Sequence, residues 1–194
     1  MKDGQTHGRE NFSEAMSKIR ILIIGLGRIG KIHLANLQAM DEVEIIGICD
    51  PTDEAKVFSN KAGIRFYQKN FTDIASEVQT DAIVICSPTD THANYVSLAA
   101  KKGIDVFCEK PLDLSLKKVK EVLKTVSESK IKLMLGFNRR FDSEFQSVKE
   151  KIVNGHIGDI HTIKITSRDP SPPSINYIKS SGGMFLDMTI HDFD

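Results

Sequence analysis

The segment IRILIIGLGRIG, residues 19–30, constrains the fold of this chain more than any other. An unbroken apolar run ends in Gly25, Gly27 and Gly30, spaced G-x-G-x-x-G, and helical spacing follows over residues 28–40. A run that is apolar at every position is a strand buried on both faces. Such a strand needs parallel neighbours, and these are joined by crossovers, usually helices. The rest of the first 136 residues supplies them. VEIIGICD reads as a second strand, residues 53–61 as a short helix and IRFYQ as a short third strand. DAIVICS is a fourth strand, followed by the helix THANYVSLAAKKG, which stops at Gly103. IDVFCEK is a fifth, Ser115 caps a helix running through Lys130, and IKLMLGF is a sixth. This alternation predicts an α/β fold, a Rossmann-type doubly wound parallel sheet.

The glycines carry the first chemical signal. They directly follow the first strand and open a helix, the context in which this spacing cradles a dinucleotide. Gly25 permits the tight turn, Gly27 lets backbone approach a pyrophosphate, and Gly30 lets helix and strand pack closely. Arg28 and Ile29 lie inside the same loop and are counted with it. The helix start then offers free N–H groups and a positive dipole end to phosphate. Asp50 closes the second strand 20 residues after Gly30, where a carboxylate hydrogen-bonds both ribose hydroxyls of NAD and repels the 2′-phosphate of NADP. The plainer alternative is a strand-terminal aspartate in the turn before Pro51.

Composition narrows the partners. Lys+Arg and Asp+Glu balance at 26 each, so net charge points to neither nucleic acid nor an anionic membrane. No apolar run approaches membrane-spanning length. Residues 1–18 are polar, unlike a secretory signal, and read as a disordered lead, with Met16 as an alternative start. Three cysteines, a sparse and odd count, suggest a reducing compartment, the cytosol. Cys49, Cys86 and Cys108 each precede the polar residue that ends a strand. Without a C-x-x-C or a histidine cluster beside them, they read as small buried apolar residues rather than nucleophiles or metal ligands.

Beyond about residue 138 the pattern changes. DSEFQSVKEKIVNG reads as a helix closed by Gly155. HTIKITS alternates, with Ile163 and Ile165 on one face, and predicts a half-buried strand of a more antiparallel sheet. RDPSPPSINYIKSSGG reads as a loop. The terminal GGMFLDMTIHDFD places Asp187 and His191 four apart, on one face of a predicted helix. Residues 19–138 are thus read as the dinucleotide-binding domain, and 139–194 as the beginning of a substrate and oligomerisation domain, an α+β open sheet cut short. EKPL ends the fifth strand and brings Glu109 and Lys110 to the crevice shared with the glycine loop. A lysine there can hold a substrate hydroxyl or stabilise a developing oxyanion. Its plainer alternative is a salt bridge with Glu109.

GLGRIG, SPTDTH, EKPL, GFNRRFD, SRDPSPP and SGGMFLDMTIHDFD occur in that order. Together they resemble the glucose–fructose oxidoreductase / inositol dehydrogenase family, most closely its inositol 2-dehydrogenase members, over residues 19–194. The resemblance implies an NAD-dependent, homotetrameric enzyme that oxidises myo-inositol to 2-keto-myo-inositol (scyllo-inosose). It implies His191 as the base that takes the hydroxyl proton, Asp187 as its partner at the substrate, and Lys110 as the residue placing the reacting oxygen. It puts Ser87, His92, Glu109 and Lys110 along the cofactor, and Arg140 near the polyol, with Arg139 an equal candidate and a structural ion pair the plain alternative for either. A histidine suits the role because it titrates near working pH. Three other readings stay open. One is a related inositol isomer or hexose as substrate. Another is a non-catalytic NAD-binding fragment. The third makes Asp187, His191 and Asp192 ligands of a divalent metal, a reading that hydride transfer does not require. Family members continue well past this histidine, so the chain is expected to be truncated, to bind NAD, and to oxidise inositol barely if at all.

Overall fold

The computed structural model of the chain describes residues 17–168 and 170–194. The expectations for a disordered lead and for a start at Met16 fall mostly outside those residues. Six parallel strands form one sheet: β1 (Ile19–Ile24), β2 (Val43–Cys49), β3 (Phe66–Tyr67), β4 (Ala82–Ile85), β5 (Asp105–Cys108) and β6 (Leu133–Leu135). Their order is β3-β2-β1-β4-β5-β6. The order reverses between β1 and β4, and a doubly wound sheet opens its ligand crevice at that switch point.

The crossover helices follow from local sequence. Helix α1 (Arg28–Gln38) begins at the glycine loop, and α2 (Asp53–Lys61) is capped by Thr52, whose Oγ1 accepts from Ala55 N at 3.3 Å. Asp53 and Glu54 in its first turn and Lys61 in its last suit the helix dipole. After the short α3 (Phe71–Ile74) come α4 (Thr89–Lys101) and α5 (Leu116–Ser129), the latter capped by Ser115 as the sequence predicts. Alternate strand residues face opposite layers. Ile21, Ile23, Ile48 and Val84 pack with Leu34 of α1 and Ala55 of α2. Leu22, Ile24, Ile83, Ile85 and Val106 pack with Val96 and Ala99 of α4 and Val122 of α5. Burying both faces is why these strands read as continuous apolar runs.

A 3₁₀ turn (Asn138–Phe141) leads to α6 (Ser143–Val153), whose cap is Asp142. The sequence expectations then fail in three places. HTIKITS is not a strand: residues 161–167 carry no regular structure, and Ile163 and Ile165 are 69% and 48% exposed. A strand needs a neighbour for its backbone groups, and none of the described strands runs beside this one. The loop RDPSPPSINYIKSSGG holds a short helix, α7 (Ile175–Ser180), capped by Ser174. The terminal helix is two pieces, α8 (Met184–Asp187) and α9 (Ile190–Phe193). Met188 N, Thr189 N and Thr189 Oγ1 all donate to Met184 O, at 3.0, 3.0 and 3.3 Å. The threonine hydroxyl competes for the carbonyl that should extend the ladder, and the ladder slips one residue there.

Candidate active site

The carboxyl ends of the strands are laced together. Gly25 N donates to Cys49 O, Cys86 N to Ile24 O, Glu109 N to Ile85 O and Gly136 N to Cys108 O, at 2.7–2.9 Å. Gly25, Asp50, Ser87, Glu109 and Lys110 therefore leave neighbouring strands at one level.

The glycine loop has the shape a pyrophosphate needs. Gly25 sits at φ +88°, and a Cβ there would stand 2.6 Å from Ser87 N. A Cβ on Gly30 would stand 2.1 Å from the Gly25 carbonyl oxygen, so helix and loop meet as backbone. Gly27 faces open space, with nothing within 4 Å of a Cβ. It is also the N-cap of α1, and no side chain caps that helix or places an acid in its first turn. Helix α4 also starts without a side-chain cap, at Pro88, but it carries Asp90 in its first turn, and Thr91 N donates to Pro88 O at 2.9 Å. The start of α1 is thus the one of the two better suited to an outside anion.

Asp50 has more to do than the sequence suggests. It is 8% exposed. Its Oδ2 accepts from Leu26 N at 2.8 Å, inside the glycine loop, and its Oδ1 accepts from Thr52 N and Oγ1 at 2.8 and 2.5 Å. The plainer reading describes what these bonds do: Asp50 belongs to the turn before α2, and it ties that turn to the glycine loop.

His92, expected along the cofactor, is 2% exposed, with Nδ1 2.8 Å from Pro111 O and Nε2 2.8 Å from Ser87 O. It braces the loop after β4 against the loop after β5 from inside the protein. Ser87 Oγ is hydrogen-bonded to Thr91 Oγ1 at 2.6 Å. The cysteines behave as buried apolar groups. Burial first, then Asp50 or Glu109 nearby, pushes the thiols of Cys49 and Cys86 up to about 12, and burial holds Cys108 well above the ordinary thiol value. None offers a thiolate near neutral pH.

The structure brings Lys110, Asp187 and His191 together. Lys110 Nζ donates to Asp187 O at 2.6 Å and to its Oδ1 at 3.0 Å, with both side chains mostly buried. The expected alternative, a pair between Lys110 and Glu109, does not form. Glu109 Oε1 instead lies 2.8 Å from Nε2 of His33, a histidine on α1 that sequence reading missed. The signal was present, because His33 follows Gly30 by three residues and so shares its helix face. The His33 ring also meets Phe107 edge-on at 4.9 Å. Gly136 was missed too: a Cβ there would stand 3.0 Å from the Glu109 carboxylate.

His191 lies edge-on to Phe137 at 6.3 Å, and its Nδ1 is buried without a hydrogen-bond partner among the described residues. Burial, then the charges of Lys110 and Arg139, holds its imidazole below the ordinary value, against smaller opposing effects of Glu109 and Asp187. It is therefore neutral near pH 7 and able to accept a proton. Arg139 pairs with Asp192, whose Oδ1 also accepts from Ser167 Oγ at 3.1 Å. Arg140 pairs with Asp194, its Nε 2.8 Å from Oδ2, and stands exposed. Both arginines thus form the structural ion pairs weighed as the plain alternative to polyol contact. These pairs also occupy Asp192 with a cation of the chain itself, in competition with any metal. No group of three metal-ligating side chains forms among the described residues.

Comparison with known proteins gives the family and the fold. The family model described as an oxidoreductase family with an NAD-binding Rossmann fold matches residues 19–137, and the GFO/IDH/MocA C-terminal domain model matches residues 145–194. The myo-inositol 2-dehydrogenase of Thermotoga maritima is 45% identical over 177 residues, which are 91% of this chain and 53% of that protein. The inositol 2-dehydrogenase of Rhizobium meliloti is 44% identical over the same shares. The crystal structure of scyllo-inositol dehydrogenase from Lactobacillus casei with bound NAD(H) and scyllo-inositol superposes with a TM-score of 0.79 at 31% identity, covering 91% of this chain and 54% of that one. The chain spans about half the length of the curated relatives it matches.

Proposed function

The chain belongs to the GFO/IDH/MocA oxidoreductase family, and from that premise we propose that its strand-end crevice serves an NAD-dependent dehydrogenase that oxidises a ring hydroxyl of a cyclic polyol, foremost myo-inositol to 2-keto-myo-inositol. The observation that carries the reading is the Lys110–Asp187 pair beside a neutral, partly buried His191, at the strand ends that also form the dinucleotide loop. NAD, when bound, supplies the hydride acceptor. The residues do the rest. Gly25, Gly27 and Gly30 admit the pyrophosphate, and the start of α1 binds it. Asp50 faces the adenosine ribose. Lys110 holds the reacting oxygen and favours its developing negative charge. His191 takes the hydroxyl proton, and Asp187 orients substrate and lysine. The relatives' names support inositol over another polyol. A cytosolic site of action and a homotetrameric assembly complete the proposal. The test is to extend the chain to the full length of its relatives and follow NADH absorbance with myo-inositol, scyllo-inositol and glucose as separate substrates; no NADH from any of them would sink it.

Two expectations follow from the geometry. Asp50→Ala should weaken NAD binding and narrow its advantage over NADP, because a ribose acceptor and a tie to Leu26 N are lost together. Calorimetric titration with both dinucleotides checks this, and an unchanged preference would exclude Asp50 from the choice. The second concerns pH. His191 accepts a proton only when unprotonated, so kcat/KM should fall as pH drops through its folded pKa, below the ordinary imidazole value of about 6.5. Arg139→Gln removes a cation that depresses this pKa and should move the acid limb upward. A limb that stays in place would show that Arg139 does not act on the titrating group.

A further inference from the structure

The carboxylate of Asp187 is held from two sides, and one of its holders, Tyr177, lies outside the six motifs that carry the resemblance. Tyr177 Oη donates to Asp187 Oδ1 at 2.7 Å, and Lys110 Nζ stands 3.0 Å from the same oxygen. Tyr177 is delivered by α7, where the Ser174 cap accepts from Tyr177 N at 3.3 Å. The chain then turns back toward α8 through Ser181, whose N–H donates to Tyr177 O at 2.9 Å. The tyrosine is thus fixed at its own N–H and C=O as well as at its phenol.

We infer that Tyr177 is a positioning residue, one that fixes the rotation of the Asp187 carboxylate so that Oδ2 faces a polyol hydroxyl. The inference rests on the dehydrogenase reading of the site. A carboxylate turns easily about its terminal torsion, which has broad, two-fold minima. One donor leaves it free to swing. Lys110 anchors it from β5, and Tyr177 adds a second donor from a separate element. Both bonds fall on Oδ1, which leaves the other oxygen for substrate. A phenol bonded to an ionised carboxylate makes one of the stronger neutral-donor contacts. Because α7 sits within a proline-rich loop, this contact also makes the loop part of the substrate site. The loop then acts on how a hydroxyl is presented, whereas the dinucleotide cradle is untouched.

The contact is tested first without turnover. The sequence holds three tyrosines, Tyr67, Tyr95 and Tyr177, so protein labelled at the tyrosine 13Cζ gives a spectrum that assigns by a single variant. The line lost in Tyr177→Phe should shift in Asp187→Asn, while the Tyr67 and Tyr95 lines stay in place. A Tyr177 line indifferent to Asp187→Asn overturns the inference. The role is tested by kinetics with NAD and myo-inositol, the parent and its variants all extended to the full length of the relatives. Tyr177→Phe should lower kcat/KM by about 3–10-fold, the effect of one lost hydrogen bond, mainly through KM, with NAD affinity within about twofold of the parent. Tyr177→Phe combined with Asp187→Asn should be no slower than Asp187→Asn alone, because the tyrosine acts through that carboxylate. Parental kcat/KM in Tyr177→Phe, or full additivity in the double variant, overturns the inference. A parent protein that oxidises no polyol contradicts the dehydrogenase reading instead, and the resonance still decides the contact.

Discussion

In a chain extended to the full length of its relatives, Lys110→Ala and His191→Ala are each expected to lower turnover on myo-inositol by about 10²-fold or more, the range in which acid–base and positioning groups act. Their NAD affinity should remain near that of the parent, because the glycine loop and Asp50 make none of their described hydrogen bonds to either residue. The two losses have different origins. Without His191 the hydroxyl proton has no acceptor in the crevice. Without Lys110 both Asp187 O and Asp187 Oδ1 lose a donor, so the aspartate drifts together with the reacting oxygen. Single-turnover measurements with pre-bound NAD separate chemistry from binding. Near-parental turnover in either variant would remove that residue from the mechanism.

The largest effect on cofactor binding is expected from Gly30→Ala. A methyl group there meets the Gly25 carbonyl oxygen at 2.1 Å, and that oxygen is backbone, which cannot rotate away. Relief requires α1 to move off β1. Overpacking of this kind costs about 1–3 kcal/mol or more, roughly ten- to hundredfold in NAD affinity, and the melting temperature should fall as well. Gly27→Ala is the contrast. Its Cβ meets nothing in the protein, so stability should hold while NAD binding weakens, because the methyl occupies the approach to the phosphates. Calorimetric titration and thermal melting of both variants check the pair. Parental NAD affinity in Gly30→Ala would refute the close-packed cradle.

Reading from sequence worked where each residue's environment is set by its neighbours along the chain. The strands of the sheet announce themselves because both faces are buried, and the caps Thr52 and Ser115 sit where local hydrogen bonding requires them. Reading failed where the deciding partner lies far away. Ile163 and Ile165 alternate like a strand, but alternation says nothing about whether a neighbour exists to pair with. The spacing of Asp187 and His191 suggests one helix, yet Thr189 between them redirects a hydroxyl to Met184 O and breaks the ladder. In the site, Lys110 was legible from its place after β5. Its partner was not, since Asp187 lies 77 residues along the chain. Glu109 and His33, and Tyr177 and Asp187, are likewise pairs that only the fold brings together. The inward turn of His92, whose ring nitrogens meet the carbonyls of Ser87 and Pro111, is likewise set by the fold and not by neighbours along the chain.

The bond from Leu26 N to the Asp50 carboxylate restricts how this protein could change its cofactor over evolution. Admitting a 2′-phosphate means removing a negative charge at Asp50, yet the same oxygen secures the turn that receives the pyrophosphate. Replacement by alanine or glycine strands the Leu26 N–H and slackens the turn in the same step. Asparagine discards the charge and keeps an acceptor within reach of that N–H. The passable mutational route toward NADP therefore runs through asparagine at position 50, with basic residues added nearby only afterwards.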